Sequence, residues 1–215
     1  FDVSSAQHMS HCLSDLNITF DSNSIAATLC SDSRAEENRS FSSNIGESLS
    51  RYFASADSYK DLSAASGQAR HKNFSSDILY LGCSLDANAV YPFQSNLTIP
   101  GTPDRLTCRD IFSTRWNTGL AAIYSQSKNS RNRGSQLLQL CLLNSGVRSL
   151  IVPQWPAIDE VVSAVLLKRF FRNVATGHTP AHALRRARQF VHDEIDQHPA
   201  YWGGLQLEGA VLNPE

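Results

Sequence analysis

Three short apolar runs stand out along this chain: Ile78 to Gly82, Leu120 to Ser125 and Ser149 to Pro153. A run that is apolar at nearly every position suits a strand covered on both faces, whereas a strand with one wet face alternates. Between the last two, Gly134 to Gly146 carries Leu137, Leu138, Cys141 and Leu142 at helical spacing and ends in a glycine suited to a helix C-terminus. Strand, helix and strand joined by short links make a βαβ unit, and that connection implies parallel strands. Asp159 to Ala175 predicts a second helix. Val162, Leu166, Phe170 and Val174 recur every fourth residue, Val165, Leu167 and Phe171 widen the stripe, and Lys168, Arg169 and Arg172 take the wet side. Gly177 ends it. Thr179 then serves as N-cap and Pro180 as first residue of a further helix, with Leu184, Ala187, Val191 and Ile195 on its buried face. Leu205 to Leu212 predicts a closing strand.

The first seventy-six residues carry a weaker pattern. Ser4 to Leu16 places Met9, Cys12, Leu13 and Leu16 on one helical face, and Ile25 to Leu29 fits a short strand or the start of a helix. Residues 31–76 are dominated by Ser, Ala, Asn and charged side chains. Ile45, Leu49, Tyr52 and Phe53 suggest one helix there, and the rest is expected to be loop or a flexible insertion.

A chain of 215 residues with 41% hydrophobic content can bury one sizeable core, so a single α/β domain over 1–215 is expected. Because it begins at Phe1 rather than Met, the chain is expected to be a piece of a longer protein. A formal net charge of −1 disfavours a nucleic-acid partner. No apolar run approaches the ~20 residues that span a bilayer, and no signal-peptide pattern opens the chain. The five cysteines, Cys12, Cys30, Cys83, Cys108 and Cys141, are odd in number and scattered, which fits a reducing cytoplasm better than a disulfide framework or a zinc ribbon. The sequons at Asn17, Asn38, Asn73 and Asn96 are expected to be coincidental in so Ser- and Asn-rich a chain.

Several segments, in order, are similar to the motifs of one family. Ile78-Leu-Tyr-Leu-Gly-Cys-Ser-Leu85 resembles a strand of the form I-L-H-L-A-T-H-G, and Pro92-Phe-Gln-Ser-Asn-Leu-Thr-Ile99 resembles P-x-x-S-x-L-x-L. Leu120 to Gln126 is similar to L-V-V-L-S-A-C, Gly146 to Trp155 to G-A-R-S-V-V-A-S-L-W, and His198 to Gly209 to H-P-Y-Y-W-A-A-F-V-L-x-G. Together they resemble the CHAT domain, a caspase-like cysteine-peptidase family often joined to tetratricopeptide repeats. The likeness covers about Asp77 to Gly209. It implies a caspase-like three-layer α/β/α fold with a largely parallel central sheet. It also implies a site at the carboxyl edge of that sheet, where open α/β sheets generally build theirs.

On that alignment Ser84 stands at the family's catalytic histidine and Gln126 at its cysteine. A cysteine peptidase needs a thiolate to attack the carbonyl and an imidazole to activate the thiol and protonate the leaving amine. Neither a serine hydroxyl nor a glutamine amide performs those steps near neutral pH. The resemblance therefore implies a non-catalytic pseudo-peptidase, serving as a regulatory or protein-interaction module. The alternative is an active peptidase with a relocated nucleophile such as Cys83, although strand alternation also makes Cys83 a small apolar filler.

A peptide or protein partner is expected, with tetratricopeptide repeats in the same chain. No cofactor or metal is expected. His178 and His182 have metal-pair spacing but straddle a helix boundary and lack a third ligand, and His8, His11 and Cys12 fare no better. Asp159 is expected to cap its helix; the resemblance implies instead an acidic residue that lines a pocket for a basic side chain. Lys128, Arg131 and Arg133 crowd the loop after Gln126, either as a solvated loop or as a receptor for an acidic group. His198 is expected to be a turn residue. An unrelated nucleotide-binding fold is disfavoured, because neither G-x-G-x-x-G nor G-x-x-x-x-G-K-[ST] follows a predicted strand.

Overall fold

The computed structural model describes residues 19–30, 41–59, 73–98, 105–124, 133–155 and 159–209. In chain order these form β1 (Ile25–Cys30), α1 (Phe41–Tyr52), β2 (Ser55–Tyr59), β3 (Asn73–Gly82), β4 (Ser84–Asp86) and a 3-10 turn (Pro92–Gln94). There follow β5 (Asn96–Thr98), β6 (Arg105–Thr107), α2 (Cys108–Ser113), β7 (Arg115–Tyr124), α3 (Arg133–Asn144) and β8 (Val147–Pro153). The chain continues through α4 (Glu160–Ala175), α5 (Pro180–Glu194), α6 (Pro199–Trp202) and β9 (Leu205–Gly209). Among the described residues the central sheet has six strands in the order β2-β1-β3-β7-β8-β9, and a small antiparallel sheet runs β4-β5-β6. The first five central strands are mutually parallel and β9 is antiparallel to β8.

Alternation of side chains across this sheet explains the unbroken apolar runs. Leu79, Leu81, Ala121, Ile123, Leu150 and Val152 face α3, where they meet Leu138, Cys141 and Leu142. Ile78, Tyr80, Leu120, Ala122 and Ile151 face the other way, against α1, α4 and α5. With helices on both faces most central-strand positions are apolar, and the polar exceptions Thr28, Ser76, Thr118 and Ser149 are small. The fold is thus three-layered, as expected. On the second face Tyr80, Phe170 and Phe171 are fully buried, with ring centroids 6.2 Å (Tyr80–Phe171) and 5.2 Å (Phe170–Phe171) apart in edge-on contacts. Such pairs add roughly 0.5–1.5 kcal/mol beyond their burial.

The predicted strands 78–82, 120–125 and 149–153 are adjacent and parallel, and each begins earlier than its apolar run. Asn73–Ser76 pair with Arg115–Thr118, so backbone pairing extends both strands back from their apolar runs. Three expectations need correcting. Residues 55–59, expected to be loop within 31–76, form an edge strand beside β1, and residues 73–76 belong to β3. Ile195 is 42% exposed because α5 ends at Glu194 and leaves it as the C-cap. Arg169 is not on a wet face: its guanidinium stacks over the Phe190 ring at 4.2 Å and joins α4 to α5. The helix expected over Ser4–Leu16 lies outside the described residues, as does the end of the predicted strand beyond Gly209. Asn96, one of the sequons, is buried in β5 with its amide nitrogen 3.3 Å from Asp86 Oδ2.

Candidate functional site

The site follows from the sheet's carboxyl edge. β3 and β7 are paired up to Gly82 opposite Tyr124. Counted along the chain, Ser84 is two residues past the first and Gln126 two past the second. Gln126 lies outside the described residues. After Gly82 the chain enters β4, where Ser84 pairs with Thr98 of β5, so the small antiparallel sheet is anchored at this strand end.

The turn that follows shows why a P-x-x-S-x-L pattern suits this place. Pro92 opens the 3-10 turn, and the buried Ser95 accepts a hydrogen bond from the Asn88 amide at 3.0 Å through its Oγ. Leu97 then enters the core. Asn88 closes the turn from the other side, its Oδ1 accepting from the amides of Val90 (3.0 Å) and Tyr91 (2.8 Å). Those bonds hold Val90, Tyr91 and Phe93 out in solvent, Phe93 at 76% exposure. Gly134, the second residue of α3, packs onto this turn so closely that a Cβ would lie 2.2 Å from Ser95 Oγ and 2.8 Å from both backbone N and O of Asn88.

Cys83 continues the alternation of Leu79 and Leu81 and points into the core beneath α3, 4% exposed, its thiol donating weakly to Leu81 O at 3.7 Å. Burial pushes its pKa up to about 12. Cys108 and Cys141 also sit in this core, and burial raises both thiols, Cys108 to about 12. The three are fillers held in the protonated, unreactive form.

On the β8 side the edge is closed by the two remaining motifs. Trp155 Nε1 donates to Ala200 O at 3.1 Å, and the Gln154 amide donates to Gly204 O at 2.8 Å. At Gly203 a Cβ would meet the Trp155 ring at 3.1 Å, so the ring and the closing segment are in close contact. Beneath them lies a cavity of about 20 Å³ lined by Tyr124, Trp155, Tyr201 and Leu205 among others. That is room for a single water, not for a side chain. Tyr124 is pushed up to about 12, first by burial and then by the negative charge of Glu160.

Asp159 is the N-cap of α4: its Oδ1 accepts from the amides of Val161 (2.7 Å) and Val162 (3.0 Å). Arg133 is the exposed first residue of α3, while Lys128 and Arg131 lie outside the described residues. His178 and His182 stack edge-on at 5.1 Å, and the Arg186 guanidinium sits 2.6 Å from His178 Nε2. Burial, then Arg186 and His182, lower the His178 pKa. No three His, Cys, Asp or Glu side chains converge as metal ligands among the described residues. His198 is the N-cap of α6, with Nδ1 accepting from the Ala200 amide at 3.2 Å. No helix among the described residues is long and apolar enough to cross a membrane.

One feature was missed from sequence. A groove of about 640 Å³ lies between α5, α6 and β9, bordered by Arg185, Arg188, His192, Trp202, Gln206 and Leu207. The spacing of Arg185, Arg188 and His192 along one helical face was the available signal, but it reads equally as an ordinary wet face. The family model of the CHAT domain matches residues 26–210. No curated protein matches the chain.

Proposed function

We propose that this chain, which belongs to the CHAT-domain family, is a non-catalytic member that works as a regulatory or protein-interaction module. The observation that supports the reading is the parallel pairing of β3 with β7 up to Gly82 opposite Tyr124, the two strands from which the motif alignment takes its dyad positions. On that alignment the chain has Ser84 for the family's histidine and Gln126 for its cysteine. Without an imidazole and a thiolate there, acyl transfer lacks both its nucleophile and its proton carrier, and such groups act as a unit. The burial of Cys83, with its thiol held protonated, supports the same reading against a relocated nucleophile. The interaction role draws support from Val90, Tyr91 and Phe93, held in solvent by the Asn88 turn just after the Ser84 position. Exposed apolar groups of this kind mark contact surfaces when they gather at one place. Neighbouring tetratricopeptide repeats, and a cytoplasmic setting, belong to the same proposal.

The test is incubation of the purified chain with a diverse peptide library, read by mass spectrometry. No cleavage is expected. Robust cleavage that disappears in Cys83→Ala would establish the relocated nucleophile instead.

A further inference from the structure

We propose that the groove between α5, α6 and β9 binds an extended acidic peptide segment, which adds to the open edge of β9 and sets a carboxylate against Arg188. This goes beyond the function proposed above, since the groove shares no lining residue with the strand-end positions 84 and 126.

The backbone supplies the first half of the argument. β9 is the end strand of the central sheet. In an antiparallel pair, successive residues alternate between bonding their partner strand and pointing away from it. Gln154 N donates to Gly204 O, so Gly204, Gln206 and Glu208 are the residues that bond toward β8. Leu205, Leu207 and Gly209 therefore turn their amide and carbonyl groups to the outer edge. Among the described residues, the carbonyl of Leu205 accepts from Arg188 Nη2. From Leu207 onward the edge is set to accept another strand, a known mode of peptide capture.

Side chains supply the second half. Arg188 is half-buried, and its Nε is enclosed with no hydrogen-bond partner among the described residues. A half-buried guanidinium without a carboxylate beside it is costly, and an anion brought into the groove would offset that cost. Arg185 stands one turn before it on the same face and His192 one turn after. The acidic side chain in the groove, Asp193, lies against His192 Nδ1 at 2.7 Å. Trp202 forms the far wall, edge-on to His192 at 6.0 Å and fixed by its Nε1 donating to Gln197 O at 3.0 Å. Cationic side chains beside an open strand edge, with an apolar wall, suit a peptide that alternates acidic and apolar residues.

The experiment uses the whole chain and a fluorescein-labelled peptide of alternating Glu and Val, followed by anisotropy at low salt. Binding is expected, weakening as salt is added, and a Lys-Val peptide of the same length is expected not to bind. N-methylation of alternate backbone amides, which removes strand pairing, is expected to weaken binding at least tenfold. Arg185→Glu, at an exposed position, is expected to do the same with an unchanged melting temperature. Arg188→Gln tests the enclosed cation directly, and Arg185→Glu keeps the test valid should that variant not fold. Equal binding of the N-methylated peptide, or complete displacement by free glutamate or inorganic phosphate, would overturn strand addition in favour of a simple anion site. Concentration-dependent dimerisation that the peptide competes away, seen by sedimentation velocity, would overturn it in favour of a second copy of the chain.

Discussion

Replacing Gly134 by Ala sets two effects of opposite sign against each other. Gly134 lies in the first turn of α3, where removing glycine from a helix is worth up to about 1 kcal/mol in favour of alanine. A soft environment would therefore make Gly134→Ala stabilising. The added Cβ, however, would sit 2.2 Å from Ser95 Oγ and 2.8 Å from the backbone nitrogen and oxygen of Asn88. The serine can rotate away, at the cost of the 3.0 Å bond from the Asn88 amide, about 1 kcal/mol. The Asn88 backbone cannot, because its turn is fixed from both sides, and overpacking of this kind costs roughly 1–3 kcal/mol. The net expectation is a loss of about 1–3 kcal/mol, read as a lower urea midpoint with an unchanged slope. Combining Gly134→Ala with Ser95→Gly should recover only the serine's share. A Gly134→Ala protein as stable as its parent, or more so, would refute the close approach of α3 to the Asn88–Ser95 turn.

Asp159→Ala is expected to lower stability by about 1 kcal/mol through loss of the cap to Val161 and Val162, with Asp159→Ser restoring most of it in urea titrations. An unchanged midpoint would mean that the carboxylate serves something other than the helix. Cys83, Cys108 and Cys141 are expected to resist iodoacetamide in the native protein at pH 8 and to react fully in denaturant, as peptide mass spectrometry would show. Fast native labelling of Cys83 would contradict its burial. His178 is expected to titrate, by NMR, at lower pH than an ordinary histidine, and Arg186→Ala to bring it back upward. The unfolded chain then binds that proton more readily than the folded one, so the contribution to stability is full above the ordinary histidine range. It falls as pH drops toward the depressed folded value. A titration at or above the ordinary value would refute the contact with Arg186.

What could be read from the sequence follows from how each element is stabilised. β3, β7 and β8 are covered by helices on both faces, and that burial forces apolar runs which periodicity detects. β2 is an edge strand of sequence Ser-Ala-Asp-Ser-Tyr, held by pairing with β1, and backbone pairing leaves no mark on side-chain pattern. The polar start of β3 escaped notice for the same reason, although Asn117 Nδ2 does donate to Ser75 Oγ at 3.3 Å across it. The three strands of the small sheet have three residues each, too short for any alternation to register. α2 was findable. Thr107 and Asp110 form a capping box, Thr107 Oγ1 accepting from the Asp110 amide and the Asp110 carboxylate from the Thr107 amide. At the site, motif order could assign Ser84 a family position but not its place in β4 opposite Thr98, and the β9 groove arises from residues on three elements that only the fold brings together.

The strand order has a consequence for where the chain tolerates loss. β1 comes first along the chain yet lies inside the sheet, with β2 on one side and β3 on the other. Truncation through β1 would not trim an edge; it would separate β2 from the rest and uncover Ile78 and Tyr80 beside it. β9 has the opposite standing, the last strand and an outer one. A chain stopped before Leu205 would keep its five parallel strands and lose the side of the groove formed by Gln206 and Leu207. Among the described strands, β1 therefore joins two neighbours, whereas β9 joins one and presents its other edge to new contacts.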